Sequence, residues 1–503
     1  MNKRFGILLL LSLIPWLIQA RTGRYRAMWR TDPATSMVIG WEAFGGRQSR
    51  VIFQSVGQPA DQWKVHYPDK KVASKDMKNY FARLEGLSAD TRYRFVIRDS
   101  EGDSPMMYFH TAPDDPSTPI TFIAGGDSRN NRSARKRLNL LAGQMQPLAI
   151  LFSGDMTDMC TAREWQQWLD DWQLTITSDR RLIPIIAARG NHETSNSILE
   201  DLFDIPSPDA WYALSFGGDL LRVYTLNSLA PIHGRQTRWL TDDLQQHGEA
   251  FTWRIAQYHY PIRPHTRRKK ERLDQLEAWA GLFHQHKVQL AQESDSHVAK
   301  ITWPIRPGKG PESYEGFVRD DQEGTVYIGE GSWGAPLRPA DDDKPWTRAS
   351  GSFHQFNWLC FHSDRLEVRV IQADQSAGAT ALPTLSYGRI PDGVASWLID
   401  GQEELILPGP ADEMAAIIQD AERFPLIDLD GRSSLQIPYR LGSTSEIRIE
   451  FTNTLRQVVK SIRLHREAGN YLEGIDIRDL PRGRYVLIVY ADNKPIMRRL
   501  VQQ

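Results

Sequence analysis

Cysteine is nearly absent from this 503-residue chain, in which Cys160 and Cys360 are the only two. That is too few for a thiolate zinc cluster or a disulfide scaffold, so any bound metal must be held by oxygen and imidazole. One disulfide or two buried thiols both fit the count. An excess of either charge is absent as well: 61 Lys and Arg against 62 Asp and Glu give a formal net charge of −1. A dedicated nucleic-acid partner, which would demand a basic surplus, is therefore not expected. Beyond the N-terminus no apolar run is long enough to span a bilayer. The 41% apolar and 24% charged residues exclude disordered and collagen-like chains. At about 150 residues per domain, the length indicates three domains rather than one.

What is present begins with a targeting segment over residues 1–20. Lys3 and Arg4 form a positive start, Phe5 to Ile18 an apolar stretch broken by Pro15, and Ile18-Gln19-Ala20 a small-residue cleavage site. The expectation is export as a secreted, periplasmic or cell-surface protein, with no membrane span in the mature chain. An uncleaved N-terminal anchor is the alternative.

Residues 21–112 show short strands separated by turns, such as Met37-Val38-Ile39-Gly40-Trp41 and Arg50-Val51-Ile52-Phe53. In Leu87-Ser88-Ala89-Asp90-Thr91-Arg92-Tyr93, an aromatic hydroxyl just inside a strand can tie back to the preceding turn, as in a tyrosine corner. This region resembles a fibronectin type III-like sandwich. Three prolines between Pro113 and Pro119 make a stiff boundary.

Over 119–375 the pattern becomes apolar runs that each stop at a polar residue: Ile120 to Ala124 before Asp127, Leu148 to Phe152 before Asp155, and Leu182 to Ala188 before Gly190-Asn191-His192-Glu193. Later, Phe251 to Tyr258 reaches His259, and Val288 to Ala291 leads to Asp295-Ser296-His297. Continuous apolar runs predict strands buried on both faces. Thr161-Ala162-Arg163-Glu164 predicts a capping box, followed by Trp165, Trp168, Leu169 and Trp172 as a core-facing stripe rather than a sugar platform. Helices between strands imply an α/β sheet layer whose ligands lie beyond the strands' carboxyl ends. Residues 376–425 read as a linker region with a short helix over Asp412 to Glu422. Alternation at Ile447, Ile449 and Phe451 and at Tyr485, Leu487 and Val489 predicts a small β-sandwich over 426–503. Its Leu-Pro-Arg-Gly-Arg-Tyr motif and basic last strand are similar to C-terminal sorting domains engaged by export machinery. An accessory immunoglobulin-like domain is the other reading.

The order Asp127, Gly154-Asp155, Gly190-Asn191-His192-Glu193, His259, Asp295-Ser296-His297 resembles that of the calcineurin-like metallophosphoesterases. It is most similar to the purple acid phosphatase branch, with its N-terminal fibronectin-like domain and, as at Gln236 and Trp239-Leu240 here, a Gln and Trp-Leu on one helix. The resemblance implies a multidomain chain: an N-terminal β-sandwich, a central α/β metallophosphoesterase domain (a four-layer sandwich of mixed sheets flanked by helices), and a small C-terminal β-sandwich. It also implies two metal ions, among Fe, Mn, Zn and Mg. Asp155 would bridge them, Asp127 and His297 would serve the first, and Asn191 and His259 the second. His192 would give a proton to the leaving oxygen. The chemistry agrees with that set, because two ions can activate a water and clamp both oxygens of a phosphate ester in displacement.

Three positions depart from the family pattern. Asp158 stands where purple members have tyrosine, Arg129 where other branches have histidine, and Asp295 where the first histidine of Gly-His-X-His is expected. Asp295 is kept as an oxygen ligand of the second ion. Arg129 is a candidate phosphate contact and His265 a candidate second acid. The run Arg267-Arg268-Lys269-Lys270 attracts an anion or simply starts a solvated helix. Gly329-Glu330-Gly331-Ser332-Trp333-Gly334 is a loop whose backbone approaches a ligand or a strand closely. The expected function is an exported phosphohydrolase of small phosphate esters, monoesters slightly preferred. The alternatives are a catalytically weak cell-surface binding protein and a phosphodiesterase or nucleotide hydrolase.

Overall fold

The computed structural model describes residues 20–59, 62–409, 427–429, 432–453, 458–492 and 494–503. The expected signal segment, apart from Ala20, and the expected helix from Asp412 to Glu422 lie outside the described residues. Among the described residues no helix is long and apolar enough to cross a membrane. The chain forms two compact units, Met1–Leu407 and Pro408–Gln503.

The first unit opens with two antiparallel sheets. Thr22–Met28, Met37–Ala43, Met77–Leu84 and Lys70–Ser74 pair in that order in one, while Arg50–Ser55 and Arg92–Asp99 centre the other. Alternate residues such as Trp41, Phe81, Phe95 and Phe109 are buried, as expected where two pleated faces meet. The Ser88 backbone N–H donates to the Tyr93 hydroxyl at 2.9 Å, which is the tyrosine-corner bond expected from the sequence. This β-rich region is consistent with a fibronectin type III-like domain. It is tied to the central domain by Asp204, a wholly buried carboxylate that receives Arg83 through two bonds of 2.9 Å and Arg30 at 3.2 Å. Removing either cation would leave buried negative charge undercompensated.

The central domain holds two mixed sheets. In the six-stranded sheet the order is Ile185–Ala187, Ala149–Phe152, Ile120–Gly125, Gln355–Phe361, Arg365–Gln372 and Leu405–Pro408. The last strand belongs to the stretch expected as a linker, so residues up to 407 are part of this unit. In the seven-stranded sheet Leu221–Thr225, Trp253–Gln257, Leu290–Glu293 and Val326–Gly329 run parallel. Residue parity separates the layers: Trp253 and Ile255 join the core that contains Phe122 and Ile150 of the other sheet. Ala256 and Tyr258 instead pack with Leu240, Leu244, Trp279 and Phe283. Helix Ala162–Trp172 carries the complete capping box at Thr161 and Glu164 and buries Trp165, Trp168, Leu169 and Trp172. That stripe is core, and Trp168 stacks on Trp172 with centroids 4.9 Å apart.

In the second unit, Ser445–Asn453, Val458–Arg466 and Arg484–Ala491 belong to one five-stranded sheet, and Ser434–Leu441 pairs with Gly469–Asp476 in a two-stranded one. Ile447, Ile449, Phe451, Tyr485, Leu487 and Val489 share its core, in the period of two that the sequence shows.

Candidate metal centre

Each expected ligand follows a buried strand of the central domain, where the chain turns sharply. Asp127, Asp155, Asp295 and His297 all adopt left-handed φ, between 56° and 67°, a conformation that L-residues hold only when their surroundings enforce it. Close backbone approach does so here. A Cβ at Gly190 would lie 2.3 Å from Asp155, and one at Gly331 1.7 Å from the Asp127 carboxylate, so both positions require glycine. The 329–334 loop thus approaches a ligand, and it is pinned by Trp333 N–H to Gly126 O at 2.9 Å.

The resulting cluster contains two overlapping sets. Carboxylate and imidazole atoms of Asp127, Asp155 and His297 lie within 4.8 Å of one another, as do those of Asp155, His259 and Asp295. All five are buried, and Asp155 is common to both sets. Asn191 joins the second through its Oδ1, 2.9 Å from His259 Nε2.

The donor atoms suit cations. His259 Nδ1 donates to the Ser153 carbonyl at 2.9 Å and His297 Nδ1 to the Pro336 carbonyl at 2.8 Å. Each neutral ring therefore turns its Nε2 lone pair into the cluster. For His259 that lone pair faces Asn191 Oδ1, Asp155 Oδ1 at 3.3 Å and Asp295 Oδ1 at 3.5 Å. For His297 it faces Asp127 Oδ1 at 3.3 Å. Asp127 Oδ1, Asp155 Oδ2 and His297 Nε2 are buried with no hydrogen-bond partner among the described residues. Acceptors crowded together without donors are stable only with positive charge between them. The ring of His259 registers this: burial opposes its charge, but Asp155 and Asp127 outweigh burial and raise its pKa well above the usual value.

Glu193, the last letter of Gly-Asn-His-Glu, had no role assigned from sequence. It is fully buried and accepts the N–H groups of Asp155, Met156 and Gly190 at 2.9, 2.9 and 2.7 Å, locking two ligand loops together. Burial, then the Asp155 charge, pushes its pKa up to about 7.

His192 lies at the edge of the cluster, its side chain 23% exposed, with Nε2 3.7 Å from Asp155 Oδ2. Its Nδ1 donates to the Asp158 carbonyl, which leaves Nε2 free to carry a proton. Arg129 lies beside it but is engaged: Nε donates to Asp158 Oδ1 at 2.9 Å, and Nη2 bonds the same oxygen. Asp158, at the tyrosine position, is thus an ion-pair partner of Arg129. His265 lies away from the cluster. It is fully buried, with Nε2 2.7 Å from Thr347 Oγ1 and Nδ1 3.2 Å from Glu330 Oε1. With both ring nitrogens occupied it has no open position for a leaving group, so the expectation of a second acid there is corrected.

Two cations absent from the expected site complete it. Lys269 Nζ lies 2.5 Å from Asp295 Oδ1, so the basic run supplies a partner for a ligand. Arg338 Nη1 donates to the Asp295 carbonyl at 2.6 Å. Lys269 was visible only as one member of a run, and nothing adjacent to Arg338 in sequence marks it.

Residues 122–298 match the sequence model of the calcineurin-like phosphoesterase family. The central domain is a calcineurin-like phosphoesterase domain. In fold, the chain is similar to purple acid phosphatase PPD1 from yellow lupin (Lupinus luteus) seeds, at 14% identity and a TM-score of 0.57, over 71% of this chain and 72% of that one. It is also similar to PhoD, at 10% identity and a TM-score of 0.51, over 74% and 88% of the two chains. No curated protein matches the sequence. The phosphoesterase domain carries its ligand cluster where the carboxyl ends of parallel strands from both sheets converge.

Proposed function

We propose that the chain is an exported, dinuclear metal-dependent phosphohydrolase of small phosphate esters, with monoesters preferred slightly over diesters. One observation carries this reading: two buried ligand sets share a single carboxylate, Asp155. Asp127, Asp155 and His297 would hold one ion, and Asp155, Asn191, His259 and Asp295 the other. Bound there, the ions would supply an activated water and neutralise the phosphate's charge.

The chain's own residues do the rest. Asp155, Asp127 and Asp295 set the charge of the site. The amide of Asn191 adds an oxygen without adding a further negative charge, which keeps the site open to an anionic substrate. His192, held by the Asp158 carbonyl, presents Nε2 at the rim, where a proton can pass to the leaving oxygen. Arg129 holds Asp158 and thereby steadies the loop that orients His192. Without tyrosine at Asp158 the enzyme would lack the purple colour. Export rests on the N-terminal sequence, and the C-terminal sandwich is proposed as an attachment or sorting module.

A second reading, a cell-surface binding protein with a weakened site, is favoured by one observation: Lys269 occupies Asp295. Elemental analysis of the purified chain together with a panel of phosphate esters tests both. About two tightly held ions and turnover of simple monoesters support the hydrolase; well under one ion per chain and no turnover support the binder.

A further inference from the structure

Beside the second ligand set lies a cleft of about 620 Å³ that the mechanism above does not use. One wall carries Arg189, two residues before Asn191. The facing wall is the first turn of helix Arg235–His247, with Arg235 and Arg238, and Trp211 also lines the space. Its floor is a chain of polar contacts. Arg189 Nη1 donates to Asn196 Oδ1 at 2.8 Å, and Asn227 Nδ2 donates to the same oxygen at 3.2 Å. The Gln236 amide then accepts the Asn227 N–H at 2.7 Å and donates to its carbonyl at 3.0 Å. Asn227 and Gln236 are buried, so this floor is rigid. The next residue, Ser228, accepts the N–H of Tyr260 at 2.9 Å, and Tyr260 follows His259 directly. The cleft is therefore framed by the segments that carry Asn191 and His259.

Its charge is unbalanced. Three arginines line it against one carboxylate, Asp209, which Arg235 already meets at 2.8 Å. Arg189 donates only to neutral oxygens, those of Asn196 and the Glu193 carbonyl. Arg238 is exposed and has no ion-pair partner among the described residues. Two guanidinium groups without carboxylates, beside a half-buried indole, are suited to an anion carried on a flat ring.

We propose that this cleft receives the leaving-group half of the substrate and selects phosphate esters whose leaving group bears a second anionic group on a planar ring. The inference rests on the phosphohydrolase reading. A scissile phosphate at the ligand cluster directs its leaving group past His192, and the neighbouring cleft supplies a platform and two unpaired cations for it.

The test compares phenyl phosphate with 3-carboxyphenyl phosphate, whose leaving groups are similar in basicity, in the metal-loaded full chain. The charged ester is expected to have a kcat/KM higher by about tenfold. Arg238→Ala and Arg189→Gln, the latter keeping an amide donor toward Asn196, should each lower that ratio at least about threefold. A loss of folding or of metal would depress both esters and leave the ratio unmoved. A ratio near one in the wild type, or one unchanged in both variants, overturns the inference while leaving the hydrolase intact. Hydrolysis of neither ester overturns the hydrolase reading and this inference with it.

Discussion

The two halves of the ligand cluster are unequally prepared for an ion. In the Asp127, Asp155 and His297 half, three donor atoms are buried without partners. Neutral groups hold the surroundings: the Asp295 N–H donates to Asp127 Oδ2 at 2.8 Å, and the Pro336 carbonyl orients His297. In the Asn191, His259 and Asp295 half, an ammonium group already lies on a ligand. Burial opposes ionisation of Asp295, yet His259 and Lys269 hold its pKa well below the usual carboxylate range. One half is arranged as a vacancy for positive charge, whereas the other carries a cation of its own that an incoming metal must displace or share. The first should therefore bind its ion more tightly, and the second should be the exchangeable one.

The severest way to break this comparison is to remove what the halves share. Asp155→Asn should lower kcat on aryl phosphates at least about a thousandfold and reduce content of both ions; activity within tenfold of wild type would show that Asp155 does not bridge. Next in size, His192→Ala should leave metal content intact while slowing esters with poor leaving groups about a hundredfold and those with good leaving groups far less. Equal losses for both classes would make His192 structural.

A finer distinction comes from the second half alone. Asp295→Ala should weaken one of two resolved binding events about tenfold in a metal titration and relax any preference for manganese, magnesium or iron over zinc, since a hard oxygen is lost. Lys269→Ala should tighten that same event, because an ammonium competitor is gone. Identical titrations for both variants would end the argument for an unequal pair.

The smallest effect concerns the ion pairs behind the second half. Glu330 is buried against Lys300, 2.6 Å away, and His265. Burial would raise its pKa, but Lys300 and then His265 bring it down to about 2 from 4.5. Because the folded value is the lower one, its contribution is complete above about pH 4.5 and is lost as pH falls toward 2. That contribution is worth about 3 kcal/mol at most. Glu330→Gln should therefore flatten the acid limb of a stability profile between those limits, and an unchanged slope would contradict the ion pair.

Much of this was legible in the chain. Apolar runs ending at Asp127, Asp155, Asn191, His259 and Asp295 gave both strands and ligands, because a buried strand can place polar chemistry only where it stops. The Trp165, Trp168 and Trp172 stripe was legible for a similar reason, since its spacing leaves one helical face to bury. Arg338, Lys269 and the true surroundings of His265 were not legible. Each depends on where a loop returns in space: Arg338 arrives because the Ala335 N–H binds the Asp127 carbonyl at 2.7 Å, a contact no local pattern encodes. Leu405–Pro408 escaped because an edge strand added far along the chain has too few residues to show a period.

The left-handed turns at Asp127, Asp155, Asp295 and His297 carry an evolutionary consequence. Each costs on the order of 1 kcal/mol relative to glycine at the same position. Replacing any of the four by glycine should therefore tend to raise the melting temperature of the metal-free chain even as it abolishes metal binding. Selection for heat resistance alone would erode the site at its most important positions, and selection for activity holds them against that gradient.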